Sequence, residues 1–155
     1  MLTITDLECT RGGHILFTDL NFSVQAGELL QIHGPNGSGK TSLLRMLCGL
    51  TQPSVGKITW NGENIRLLGE QYYSILTYLG HMIGIKDDLT AIENLSIACA
   101  LAGLDVDNKM AIEALQQIGL KGRENLLSRV LSQGQRRRVS LARLLLVKTK
   151  LWILD

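Results

Sequence analysis

The most specific chemistry in this sequence lies in Gly34-Pro35-Asn36-Gly37-Ser38-Gly39-Lys40-Thr41. The stretch follows the pattern G-x-x-x-x-G-K-[ST], a loop that wraps a phosphate chain. Gly34, Gly37 and Gly39 let the backbone curl so that successive N–H groups face one oxyanion, with Pro35, Asn36 and Ser38 completing the turn. Lys40 brings a compact positive charge to the β- and γ-phosphates of a nucleotide. Thr41 offers a hydroxyl to the Mg²⁺ that accompanies them. A plain glycine turn would account for the loop but not for the Lys-Thr pair that follows it.

Two further stretches suit the same site. Leu151-Trp152-Ile153-Leu154 followed by Asp155 reads as a buried strand that delivers one carboxylate to the Mg²⁺, through water, making Thr41 and Asp155 the candidate metal residues. The plainer alternative is a turn residue at a strand end. Leu131-Ser132-Gln133-Gly134-Gln135 reads first as a capping box, Ser132 with Gln135 three residues on. That reading leaves Gly134 unexplained, since glycine weakens the first turn of a helix. Its benefit is bare N–H groups at a positive helix end, suited to a phosphate arriving from outside the domain.

These residues need elements to hold them. Residues 29–33 form a mostly apolar run that reads as a buried strand before the phosphate loop, and residues 40–50 read as the helix after it. The N-terminal dipole of that helix also favours phosphate. Leu2 and Ile4, then Leu20, Phe22 and Val24, alternate as half-buried strands do, with a turn at Arg11-Gly12-Gly13. Residues 26–28 form a turn and residues 53–56 a loop. Residues 57–60 form a short strand closed by Asn61-Gly62. Residues 75–79 read as another strand and 80–89 as a loop. Thr90 with Glu93 is a capping box for a helix that stops near Gly103, and Asp107 caps a second helix carrying Ala111, Leu115 and Ile118, with Gly119 past its end. Ser132 opens a third, with Val139, Ala142 and Leu146 at helical spacing. No strand is expected between residues 89 and 130, so the pattern is an α/β fold with a helical insertion.

The chain has 155 residues, enough for one domain with a core of its own. Its 45% apolar and 19% charged content is that of a globular protein, and a net charge of +2 is too small to suggest a nucleic-acid coat by itself. The three cysteines, Cys9, Cys48 and Cys99, form no C-x-x-C pair and read as buried thiols in a reducing compartment. The N-terminus has no signal-peptide pattern, and no apolar run is long enough to span a bilayer.

Phosphate loop, then Leu-Ser-x-Gly-Gln, then four apolar residues and Asp: this order resembles the nucleotide-binding domain of ATP-binding-cassette transporters. The resemblance covers the whole chain. It implies one ATP-binding domain over residues 1–155, with residues 89–133 as its helical signature subdomain. The implied fold is a P-loop NTPase core with an N-terminal antiparallel β subdomain and a helical insertion. It also implies that two such domains pair head to tail, so that Ser132, Gly134 and Gln135 of one meet the ATP held by the other. Gln133 departs from the family pattern, where glycine is usual. His81 stands where a Gln usually senses Mg²⁺ and the membrane partner, and Arg11 falls nearest the aromatic that stacks on adenine. A guanidinium can also stack on a base. The catalytic Glu, the D-loop and the switch His would lie beyond Asp155, so the resemblance implies a chain cut short of its C-terminal part.

Within the family, Gly80-His81-x-x-Gly84-Ile85-Lys86 and Leu89-Thr90-Ala91-x-Glu93-Asn94-Leu95 resemble the ATP-binding subunits of cytochrome c maturation exporters, often called haem exporters. So do Gln135-x-Arg137-Arg138-Val139 and residues 151–155. The implied activity is ATP hydrolysis with ATP and Mg²⁺, coupled to a multi-span permease at the cytoplasmic face of the inner membrane. No nucleic-acid partner is expected. A soluble cassette ATPase acting on ribosomes or DNA usually carries two cassettes or a long insertion, and neither is present. A P-loop kinase or GTPase would leave Leu-Ser-Gln-Gly-Gln unexplained, and there is no Asn-Lys-x-Asp base reader. A nucleotide-binding module that does not turn over is the remaining alternative. Arg136-Arg137-Arg138, the one basic cluster, reads as a solvated helix face.

Overall fold

The structure is a computed structural model that describes residues 1–81 and 84–155. The chain divides into two compact units, residues 1–78 with 150–155 and residues 79–149.

The first unit is built on a four-stranded antiparallel sheet in the order β2-β1-β3-β4. Strands β1 (Leu2–Arg11) and β2 (His14–Val24) form a hairpin in which Ile4 faces Phe22 and Leu2 faces Val24. The turn falls at Gly12 and Gly13, both at positive φ, as the sequence predicts. Strand β3 (Val55–Trp60) starts two residues earlier than expected, because the 53–56 segment already pairs with β1 at Glu8. Gly56 lies against the bulge in β1, where a Cβ would run into the Asp6 carbonyl. Asn61-Gly62 turns β3 into the short β4 (Glu63–Asn64).

Two short helices follow that the sequence reading missed, α2 (Ile65–Leu68) and α3 (Glu70–Ile75). Asn64 caps α2 by accepting a hydrogen bond from the Arg66 N–H. Its cap signal sits only two residues after the stronger turn signal of Asn61-Gly62. Strands β5 (Leu76–Leu79) and β6 (Leu151–Leu154) form where strands were expected and pair with each other, but β6 is not the buried strand expected: Ile153 is buried, while Trp152 and Leu154 are exposed.

The helix after the phosphate loop, α1 (Lys40–Leu47), is three residues shorter than the expected 40–50, because Cys48 caps it and Gly49 takes φ 73°. It buries Leu43, Met46 and Leu47 with Leu2, Ile4, Leu7, Ile58 and Ile153 in one core. Tyr72 donates to the Leu47 carbonyl at 2.7 Å and meets Trp60 edge-on. The expected strand over 29–33 does not form. Leu29 and Leu30 are exposed, and among the described residues this run has no ladder partner. An extended apolar run becomes a strand only when a neighbour takes up its backbone groups.

The second unit is helical. Helices α4 (Ala91–Leu101), α5 (Asn108–Gln117) and α6 (Gln133–Ala142) share a core of Ala91, Leu95, Cys99, Ala111, Ala114, Leu115, Leu120, Leu131, Val139 and Ala142. Four of these are alanines, which let helices approach closely. The only strand-like pairing between residues 89 and 130, among those described, is an isolated bridge between Thr90 and Leu127. Of the expected 80–89 loop, Met82 and Ile83 lie outside the described residues. All three cysteines are buried and free.

Candidate functional site

The phosphate loop is shaped by what its glycines permit. Gly37 and Gly39 take φ 84° and 93°. At Gly39, the N-cap of α1, a Cβ would also come within 3.1 Å of Leu16 and Phe17 on β2. Both backbone conformation and space therefore require glycine there. The next residue is Lys40, whose Nζ donates to the carbonyl oxygens of Gly34 at 2.7 Å and Pro35 at 2.8 Å. The ammonium is thus held across the mouth of the loop. The first turn of α1 contains no acidic side chain of its own, so its free N–H groups and dipole favour an anion.

Thr41 donates its hydroxyl to Asp155 Oδ1 at 3.0 Å, joining residues 114 apart in sequence. Thr41 lies on α1 and Asp155 directly follows β6, and Leu43 and Ile153 from the same two elements share the core behind them. Two hard oxygen donors side by side at the end of a phosphate loop suit Mg²⁺, so the residues present fit that ion.

Two neighbours of Asp155 were not singled out from the sequence. Tyr78 on β5 donates its phenol to the Asp155 carboxylate. Its pKa is raised, first by burial and then by the Asp155 charge. Burial and then the same charge push the Cys48 thiol up to about 12. Both groups therefore stay protonated beside the carboxylate at neutral pH. No local pattern announces them; only the pairing of β5 with β6 and the end of α1 bring them there.

In the second unit, Ser132 and Gln135 form the expected capping box. Ser132 N–H donates to Gln135 Oε1 at 2.9 Å, and Gln135 N–H donates to Ser132 Oγ at 3.3 Å. Gly134 is exposed, and a Cβ there would meet nothing within 4 Å. Its role is therefore not to relieve crowding within this chain. His81 is exposed, as is Arg11 at the end of β1.

The arginine cluster is not the solvated face the sequence suggests. Arg136 pairs with Asp87 at 2.7 Å, Arg137 Nη1 donates to the Gly80 carbonyl at 3.0 Å, and Arg138 Nη1 donates to the Gly119 carbonyl at 3.4 Å. Successive helix residues point about 100° apart, so three arginines in a row reach three different segments. Sequence reasoning also passed over Asn94 as a structural residue. It is buried, accepts from the Lys86 N–H at 2.7 Å, and donates to the carbonyls of Lys86 and Thr90 and to Ser128 Oγ.

Phosphate loop, Thr41–Asp155 pair and helical unit together match a known architecture: the profile of the ABC transporter family fits residues 17–155. The chain belongs to the ABC transporter family. It is an ABC-type ATPase subunit that binds and hydrolyses ATP. It is 66% identical over its whole length, and over 73% of the relative, to the cytochrome c biogenesis ATP-binding export protein CcmA of Nitrosomonas europaea. The protein of the same name from Dechloromonas aromatica is 52% identical, matched over all of this chain and 76% of the relative. Among solved structures, a putative ABC transporter ATP-binding protein from Pyrococcus furiosus superposes with a TM-score of 0.87 at 28% identity, covering 99% of this chain and 74% of that one. No helix among the described residues of this ABC chain is long and apolar enough to cross a membrane.

Proposed function

We propose that this ABC ATPase is the energy-coupling subunit of an exporter that serves cytochrome c biogenesis, the haem exporter. It would work as a head-to-tail pair on a multi-span permease at the cytoplasmic face of the inner membrane. Relatives at 66% and 52% identity named as cytochrome c biogenesis export proteins support the assignment. The hydrogen bond between Thr41 and Asp155 carries the chemical part, because it sets two Mg²⁺-type oxygens beside a loop that already holds a lysine ammonium.

Residues 34–39 cradle the phosphates with backbone N–H groups, and Lys40 neutralises the β- and γ-phosphate oxygens. Thr41 and Asp155 hold Mg²⁺, which, when bound, neutralises charge developing on those oxygens. Tyr78 keeps the carboxylate oriented by its hydrogen bond. Arg11 stacks on the base, and His81 senses the γ-phosphate. Ser132, Gly134 and Gln135 complete the site of the partner domain: the capping box fixes the helix start, and Gly134 leaves backbone N–H groups open to a phosphate.

The test is genetic and biochemical together. Cells carrying Lys40→Ala in this ATPase should lose mature c-type cytochromes, and the wild-type protein should co-purify with a multi-span membrane protein. Normal cytochrome c maturation in the Lys40→Ala strain would refute the assignment.

A further inference from the structure

Gly80, next to His81, and Asp87 are each bonded to the signature helix. Arg137 on α6 donates to the Gly80 carbonyl at 3.0 Å, next to His81. Arg136 forms an ion pair with Asp87 at 2.7 Å, and its Nε donates to the Leu131 carbonyl at 3.3 Å, just before Ser132. Asn94 clamps Lys86 from the α4 side, its amide oxygen accepting from the Lys86 N–H and its amide nitrogen donating to the Lys86 carbonyl. Both arginines are half-buried rather than waving in solvent. Charge-assisted hydrogen bonds to fixed partners hold geometry in a way that solvated side chains do not.

We propose that Arg137 is a positioning residue for ATP hydrolysis: it carries the segment bearing His81 on the same helix that presents Ser132 and Gly134. The proposal rests on the reading of His81 as the γ-phosphate sensor. Within one chain, His81 serves that chain's nucleotide and the signature serves the partner's. A displacement of α6 by the partner's phosphate would therefore pass through the Arg137–Gly80 bond to His81. The arginine would be the link by which each ATP site registers that the other is filled.

Three variants of the complete ATPase with its partner subunits test this. Arg137→Met keeps the apolar stem and removes the donors; Arg137→Lys keeps one charged donor; His81→Ala removes the sensor. Arg137→Met should speed amide exchange in the peptide carrying Gly80 and His81 about tenfold or more, the loss expected for at least one charge-assisted hydrogen bond. Exchange in α4 and α6 should not change. In steady-state hydrolysis it should lower kcat about tenfold with KM for ATP within about twofold, and Arg137→Lys should recover part of the loss. In the His81→Ala background, Arg137→Met should cost no further kcat. Unchanged exchange, or an equal fold-loss of kcat in the impaired His81→Ala background, would overturn the Arg137 proposal while leaving His81 in its role. Wild-type kcat in His81→Ala would instead overturn the reading of His81 and, with it, the route proposed for Arg137.

Discussion

Lys40 shows how much of the site is set by single contacts. Its ammonium is tied to two carbonyls of its own loop, so the charge is placed before a phosphate arrives. Replacing it with alanine should weaken ATP binding about ten- to a hundredfold, the equivalent of about 1.5–3 kcal/mol for a charge-assisted contact. A fluorescent-nucleotide titration giving an unchanged Kd would contradict the role. Cys48 makes a different prediction. Its thiol is pushed up to about 12 by burial and by Asp155, from an ordinary value of 9.0. The fold therefore favours the protonated thiol. That contribution is complete below pH 9 and is lost as pH rises from there towards 12, because the unfolded chain ionises first. The urea midpoint should fall between pH 9 and pH 10.5, and fall less in Cys48→Ala; equal falls in both proteins would show that the thiol is not the source. Tyr78 and Cys48 were not legible in the sequence as parts of the site, because neither belongs to a spaced motif. The meeting of Thr41 with Asp155 was legible because each belongs to a recognisable motif, the phosphate loop and an apolar run ending in a carboxylate.

At the scale of elements, most parts that form by local rules were legible in the sequence, the Asn64-capped α2 excepted. The two capping boxes, the Gly12-Gly13 hairpin and the Asn61-Gly62 turn each depend on residues within four positions of one another. Thr90 accepts from the Glu93 N–H while Glu93 accepts from the Thr90 N–H and hydroxyl. Thr90→Ala should therefore cost about 1 kcal/mol. This should lower the melting temperature by about 3 °C; differential scanning calorimetry showing no shift would mean that the cap does not hold α4. Residues 29–33 failed as a strand for the opposite reason, since a strand depends on a partner that may be anywhere in the chain. The anchoring roles of Asn94, Arg136 and Arg137 escaped notice on the same ground. The Arg137 bond spans 57 residues and the Asn94–Ser128 bond 34. A run of three arginines carries no mark of where each one points.

On the scale of the whole molecule, the groups proposed to meet nucleotide fall into two sets, one in each compact unit. Lys40, Thr41 and Asp155 belong to the first, Ser132, Gly134 and Gln135 to the second. If the second set serves a partner domain, Ser132→Arg should leave ATP binding by the monomer intact and abolish the nucleotide-dependent dimer. Size-exclusion chromatography with a non-hydrolysable ATP analogue checks this; a variant that still dimerises would argue against action in trans. Most of this rests on Thr41 and Asp155 holding the Mg²⁺ of a bound Mg·ATP, as proposed. Calorimetric titration of ATP into wild type and Asp155→Asn, each with Mg²⁺ and with chelator, tests it most directly. The wild-type protein should bind at least about tenfold more tightly with Mg²⁺ than without, whereas Asp155→Asn should bind equally in both and match wild type in chelator. Mg²⁺-dependent tightening that survives undiminished in Asp155→Asn would mean that this carboxylate does not hold the metal.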